Sequence, residues 1–366
     1  MPQNRKPKAT RAATLADVGR AAGVSAMAAS AVLNAATTSS RISPATRARI
    51  LAAAAKLQYR PNAAARALLH RRMNTIGIAA VLDENELNHY FLALFNGVLA
   101  AATHFEQNTT VFALRDWNND MRRLSSICDG RIDGVILFAP TFSEEAASAL
   151  PGHTPFVSIH ANSTVPSMIN IESDEEKGAH AMVEHLIARG HRRIMHIAGP
   201  EGFIGADRRV AGYKAALKEH KLRFEKPLLI HSGFETTRGF EAMHGWLKHH
   251  AGEALPHAVF CASDDIALGC MEALAEWGLR VPDDISVAGF DDTLAARASV
   301  PRLTTVRQPL VLMGRIATEI LLSKIGTIVG GMIPKSPVVM PVDVVERDSV
   351  GPRPSVDRLV PAAKRH

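Results

Sequence analysis

The 366-residue sequence is short of several things at once. It has three cysteines, Cys128, Cys261 and Cys270. The count is odd and no two are spaced as CxxC. Neither a disulfide framework nor a structural zinc site is expected, and a reducing cytosol is the expected setting. No apolar run reaches the roughly 18 residues that a spanning helix needs, so no membrane partner is expected. The first thirteen residues are polar and basic, without the apolar stretch of a secretory signal. The GxxxxGK phosphate loop, the HExxH zinc pair and the GxSxG elbow are missing, and GPEGFIG (199–205) lacks GxGxxG spacing. His244, His249 and His250 fall near one helix end and read as a solvated face. Glu144-Glu145 and Glu175-Glu176 are adjacent pairs, so neither can flank one substrate bond. No catalytic residue, metal or cofactor is expected, and the chain does not read as an enzyme.

One further shortage is local. Residues 1–72 hold thirteen Lys and Arg but a single acid, Asp17, so this segment carries +12 of a total of +6. The remaining 294 residues carry −6. A small basic piece therefore adjoins a large, mildly acidic one. A compact basic piece points to a polyanion, because phosphate contacts release counterions.

Length alone suggests two or three domains. Residues 1–13 read as a disordered basic tail. Over 14–70 the pattern is helical. Ser43-Pro44 makes a start signal, Ile50, Leu51, Ala54 and Leu57 share a face, and Pro61 stops the run. NAAARALL (62–69) reads as a second short helix. From Thr75 onward, β-prone runs alternate with amphipathic stretches, which implies parallel sheets covered by helices. Strands are expected at 75–81, 109–114, 133–138, 155–159, 168–171, 193–198, 257–262, 285–290, 304–306 and 338–345. So many units exceed one tidy doubly wound sheet, leaving two lobes or one barrel. Residues 349–366 contain three prolines and read as a disordered tail.

LADVGRAAGVSAMAASAVL (15–33) has helix-turn-helix spacing. Counted from Leu15, Gly19 is fifth, where a second helix crosses, and Gly23 is ninth, where a left-handed turn suits glycine. Ser25 caps the second helix, whose first residues would enter the major groove of double-stranded DNA.

Residues 14–72 resemble the N-terminal module of the lactose-repressor/galactose-repressor (LacI/GalR) family. "DV…AGVS…S.VLN", "S..TR..I..AA..L.Y.PN" and "A.AR.L" occur in order. The resemblance continues through RIDGVIL (131–137), HLIARGHRRIMHIAGP (185–200), RRVAGYKAAL (208–217), ASDDIALG (262–269), GLRVPDDISVAGFDD (278–292) and LTTVRQPLVLMG (303–314). It covers about residues 14–348. It implies an all-α helix-turn-helix DNA-binding domain (14–60) and a hinge helix (61–73). A two-lobed α/β core with parallel sheets would follow (74–348), similar to periplasmic binding proteins, with lobe crossings near 163, 292 and 326. Ala26, Met27, Ser30 and Ala31 match positions facing base edges, and Ser25, Asn34, Tyr59 and Asn62 join that surface. Ala28, Ala29 and Ala31 stand where the family commonly has Thr, Val and Arg. Such a helix has few donors for base edges but can meet thymine methyls. Leu68 matches a leucine that wedges into the minor groove, with Arg66 at phosphate or the groove floor. A plain linker helix is the alternative for this segment.

For the core, the resemblance implies a dimer that senses a small, sugar-like effector. Arg209 and Asp291 match effector contacts and would face each other across the cleft, where charge-assisted hydrogen bonds suit hydroxyl groups. His89, Tyr90 and Phe91 either stack on a sugar ring or belong to the core. His160 replaces a common Asp, and Ser263 a common Asn. A core that docks a protein corepressor is the alternative to a metabolite sensor. No C-terminal apolar heptad run occurs, so a homodimer is expected in place of a tetramer.

Overall fold

The computed structural model describes residues 12–33, 42–60, 72–82, 88–163, 165, 168–354 and 358–362. The chain divides into two units at Met73/Asn74.

The first unit holds three helices, α1 (Leu15–Ala22), α2 (Ala26–Leu33) and α3 (Pro44–Lys56). Thr14 and Asp17 form a capping box at the start of α1, each side chain accepting the other's backbone N–H. Gly23 ends α1 at φ +66°, a conformation that costs glycine nothing. Ser25 accepts the Ala28 N–H and starts α2. A Cβ on Gly19 would stand 2.9 Å from the Val24 carbonyl oxygen, so the crossing demands a residue without one. Val18, Ala29, Val32, Ile50 and Ala54 close the core between the three helices.

The second unit has two six-stranded sheets. The first lobe contains β1 (Thr75–Val81), β2 (Asn108–Leu114), β3 (Gly134–Phe138), β4 (Phe156–Ile159), β5 (Ile169–Ser173) and β11 (Val338–Met340), in the order β11-β5-β4-β3-β1-β2. The second contains β6 (Ile194–Ala198), β7 (Leu229–His231), β8 (Ala258–Cys261), β9 (Ser286–Asp291), β10 (Thr304–Arg307) and β12 (Asp343–Val345), in the order β12-β10-β9-β8-β6-β7. Every pairing is parallel except β10 with β12. The β3 and β9 strands are buried along their whole length, as sheets covered on both faces require.

Helices α4 (His89–His104), α5 (Met121–Ile127), α6 (Glu144–Ser148) and α12 (Leu310–Lys324) belong to the first lobe. Helices α7 (Glu175–Ala188), α8 (Ile204–Glu219), α9 (Thr236–His249), α10 (Asp264–Glu276) and α11 (Leu294–Ala298) belong to the second. The close pair α7–α8 meets at Gly212, where a Cβ would lie 2.1 Å from the Glu176 carbonyl oxygen.

Three expectations are corrected here. The chain changes lobe at Asp174, at Gln308-Pro309 and at Pro341-Val342, not near 163, 292 and 326. Periodicity marks each element but not the sheet it joins, so β5 and α12 stay with the first lobe. The run 338–345 is two strands in two sheets, because Pro341 has no N–H to continue a ladder. Residues 349–354 and 358–362 are packed on the second lobe. Val350 and Val360 are buried, and Gly252 donates to the Val360 carbonyl. Those apolar residues outweigh the prolines around them.

Candidate functional site

In the first unit α2 is the second helix of the helix-turn-helix. Met27 stands out at 80% exposure, with Ser25 and Ala26 exposed beside it. Ser30 is half-buried. Ala31 departs from its expected place at a base edge. It is buried, since its methyl is too short to reach past its neighbours. Tyr59 packs against the three-helix core. Asn34, Asn62, Arg66 and Leu68 lie outside the described residues, as does most of the hinge segment.

In the second unit a cavity of about 740 Å³ opens between the lobes. It lies at the C-terminal ends of the strands, where parallel sheets leave their crevices. Four non-glycine residues at these ends have left-handed backbones: Ala139 (φ +46°) after β3, His160 (φ +50°) after β4, and Asp291 (φ +128°) and Asp292 (φ +59°) at β9. Such conformations cost about 1–3 kcal/mol each and cluster at ligand sites. Ala139, His160 and Asp291 line the cavity.

Arg209 and Asp291 both line the cavity, but they do not face each other across it. Both rise from the second lobe, because α8 and β9 build the same wall. The Arg209 guanidinium lies 4.1 Å from the centre of the Phe290 ring, and Nη1 donates to the Ala262 carbonyl at 2.5 Å. Its Nε is buried without a hydrogen-bond partner. Asp291 accepts from Gln308 Nε2 at 2.6 Å through one oxygen. Burial pushes its carboxyl well above the usual range, and Asp264 nearby pushes it further. Asp264 is itself pushed up to about 7 by burial, against the hydrogen bonds from Thr305 and Thr293. Ser263 caps α10 by accepting the Ile266 N–H.

The first lobe supplies the facing wall. Tyr90 and Phe91 line the cavity and also pack on the lobe core, with Phe91 stacked on Phe138 at 6.0 Å. The Ser173 N–H donates to His160 Nε2 at 3.1 Å. That nitrogen is therefore the acceptor of a neutral ring, and Nδ1 carries the hydrogen. Nδ1 then donates to Tyr90 Oη at 2.6 Å. His160 is thus saturated, and Tyr90 keeps its own hydroxyl hydrogen to donate. Burial, then Arg209 and Arg208, push the His160 pKa down to about 3, which keeps the ring neutral.

Three polar contacts tie the walls together. His89 Nδ1 lies 2.5 Å from Asp265 Oδ1, Ile204 N donates to Asn162 Oδ1 at 3.0 Å, and Arg208 bridges Glu172 and Glu175 at 3.0 and 3.1 Å. The aromatic side chains of Trp117, Phe203 and Phe234 also line the cavity. None of these was foreseen except His89. Single aromatics in loops carry no periodic signal, and Glu175 and Arg208 look like ordinary helix charges.

Comparison with known proteins agrees with this architecture. Residues 14–62 match the model of bacterial regulatory proteins of the lacI family, and 183–350 match a periplasmic binding protein-like domain. The chain is 33% identical to the probable HTH-type transcriptional repressor ExuR of Bacillus subtilis (strain 168), over 85% of this chain and 91% of that one. It is 32% identical to the HTH-type transcriptional repressor PurR of Klebsiella pneumoniae (strain 342), over 94% and 99%. The lac repressor dimer bound to operator and the anti-inducer ONPF superposes with a TM-score of 0.79 at 28% identity, covering 93% and 100%. A CelR–cellobiose complex gives 0.67 at 28%, covering 92% and 99%. ExuR and PurR are HTH-type transcriptional repressors, and CelR is a transcriptional regulator. A helix-turn-helix domain joined to a two-lobed periplasmic-binding-protein-like core, with identity running through both, places this chain in the LacI family of bacterial regulatory proteins.

Proposed function

We propose that the protein is a cytoplasmic transcriptional repressor that binds a palindromic operator as a homodimer, with an affinity set by a small polyhydroxyl effector in the interlobe cleft. The observation that carries this reading is the pairing of unspent donors and acceptors in one cavity. The Arg209 guanidinium and the Tyr90 hydroxyl offer hydrogens, while Asp291 accepts them. A polyol presents both functions at every carbon, and aromatic side chains cover its apolar faces. The cellobiose held by CelR and the operator and anti-inducer held by the lac repressor dimer support the same reading. Exposed Leu92 and Leu99 on α4, and Leu294 and Val300 on the second lobe, offer apolar surface for a second copy.

An effector selective for one degree of lobe closure shifts the balance between closed and open cores. The operator response follows from that differential affinity. Ser25, Ala26, Met27 and Ser30 meet base edges in this proposal, and Leu68 wedges the central step.

The test is a thermal-shift panel of sugars, sugar alcohols and sugar acids on the full chain. A binder raises the midpoint in the wild type, and Arg209→Ala abolishes the rise while operator binding persists. No shift from any metabolite, with a shift from a protein of the cell extract, would favour corepressor docking instead. Selection of bound sequences from a random DNA pool at two salt concentrations tests the operator half. A palindrome with a kinkable centre is expected, and salt-sensitive binding without a consensus overturns specific readout.

A further inference from the structure

We propose that His180, Glu184 and Glu219, with His220 beside them, bind one divalent transition-metal ion of the zinc class on the α7–α8 pair, outside the cleft. Donor atoms of His180, Glu184 and Glu219 lie within 4.8 Å of one another. Helix α7 places His180 and Glu184 one turn apart on a shared face. The last residue of α8 is Glu219, and His220 caps it. The backbones of these helices are in contact at Gly212, so the donors stand on a rigid frame.

Both ring nitrogens of His180 face carboxylate oxygens, so the cluster calls for a positive charge between them, either a second ring proton or a metal ion. His180 Nε2 lies 3.0 Å from Glu219 Oε2, and His180 Nδ1 lies 3.3 Å from Glu184 Oε2. A neutral imidazole has one N–H and one lone pair. With a neutral ring, one nitrogen would set a lone pair against a carboxylate oxygen, a position that a metal ion can fill. The other oxygen of Glu184 lies 3.6 Å from His220 Nε2. Among the described residues, the ion-pair partners of Glu184 and Glu219 are imidazoles, with no lysine or arginine in the cluster. A metal ion between the lone pair and the carboxylates makes these contacts attractive.

The donor set selects the ion. Imidazole with carboxylate suits zinc, nickel and copper, whereas magnesium and calcium prefer oxygen alone. Zinc takes such ligands at about 2.0–2.2 Å in a tetrahedron, within reach of small side-chain rotations here. The half-exposed carboxylates leave a path for entry. An ion here would clamp the helices that bring Glu175, Arg208 and Arg209 to the cleft.

The test is calorimetric titration of the metal-stripped full chain with zinc chloride at pH 7.5, with magnesium chloride as comparison. One zinc equivalent per chain is expected, and none of magnesium. His180→Ala and Glu219→Gln should each weaken that equivalent at least about tenfold, while His249→Ala leaves it unchanged. Far-UV circular dichroism of the variants checks that they fold. Zinc anomalous scattering from crystals should place the ion between α7 and α8. The proposal fails if no stoichiometric zinc binds. It fails equally if the equivalent survives in folded His180→Ala and Glu219→Gln proteins, or if the anomalous peak lies elsewhere.

Discussion

His89 at the start of α4 and Asp265 on α10 join the two lobes at the mouth of the cleft, 2.5 Å apart, with the His89 backbone N–H donating to the other carboxylate oxygen at 3.3 Å. The hydrogen bond to Asp265 raises the His89 pKa above its ordinary 6.5, although burial opposes it. A histidine raised in the folded state stabilises it fully below pH 6.5, and that contribution is lost as pH rises through the raised value. The ring is partly exposed, so screening limits the effect to about 0.5–1 kcal/mol. The melting temperature of His89→Ala should therefore fall below wild type at pH 5.5, with the gap narrowing by pH 9. A gap that widens with pH would refute the assignment.

Adjacent aspartates at the end of β9 should respond in opposite ways. Burial and Asp264 hold Asp291 well above the usual carboxyl range, which favours its neutral form. Asparagine reproduces that neutral form, and Asp291→Asn should change stability by less than about 1 kcal/mol. Burial also pushes the Asp292 carboxyl up, but hydrogen bonds from Arg347, Arg297 and Arg307 hold it below the ordinary 3.8. Arg307 Nε is at 2.6 Å and Arg297 Nη2 at 3.0 Å. Breaking this buried cluster costs about 3 kcal/mol. Asp292→Asn should thus lower the urea midpoint at neutral pH, and the loss should shrink as pH falls below 3.8. Equal losses at both positions would contradict the contrast.

Helix α8 supplies a steric prediction. A methyl on Gly212 would overlap the Glu176 carbonyl oxygen, and backbone cannot move aside as a side chain can. Gly212→Ala should cost about 1–3 kcal/mol through forced separation of α7 and α8. The same shift displaces Arg208 from Glu175, so effector affinity should fall with stability. Urea melts and the thermal-shift panel read the two effects separately. Unaltered stability would mean that the helix pair is looser than it stands here.

The sequence makes the elements legible but not their company. Gly19 and Gly23 announced a helix crossing and a left-handed turn because their constraints are local. Strand 75–81 was readable to the residue for the same reason. The lobe crossings were misplaced because β5 and α12 look alike in either sheet. Arg209 and Asp291 were found through the family resemblance, yet their shared wall depends on sheet membership, which spacing does not encode. Tyr90 and His160 lie far apart in sequence, so their hydrogen bond had no local signature. Pro341 is the exception: one residue without an N–H explains why a single apolar run became two strands.

Three histidines of the second unit are buried in neutral form, and each contributes a stability that acid removes. Burial pushes His160 and His196 down to about 3 and His191 to about 4, with the nearby arginines adding to the push at His160. His196 Nδ1 is 2.8 Å from the Phe260 carbonyl and so carries the hydrogen, which leaves Nε2 buried without a partner. A base lowered on folding binds its proton first in the unfolded chain. Stability is therefore complete above pH 6.5 and falls as pH drops from 6.5 towards the folded values. At pH 5 each such ring removes about 2 kcal/mol. The wild-type urea profile between pH 7 and pH 5 sums this loss with the opposing gain from Asp264 and Asp291, whose carboxyls are raised on folding, so the histidine contribution is read from variants. His160→Gln removes one titrating ring while its amide can still accept from Ser173 and donate to Tyr90. The loss on acidification should be smaller by about 2 kcal/mol in that variant. His160→Leu should flatten the slope equally but lower stability at pH 7.5 by about 1–3 kcal/mol, because the Ser173 N–H then has no acceptor. A slope unchanged in both variants would show that His160 takes up its proton in the folded state.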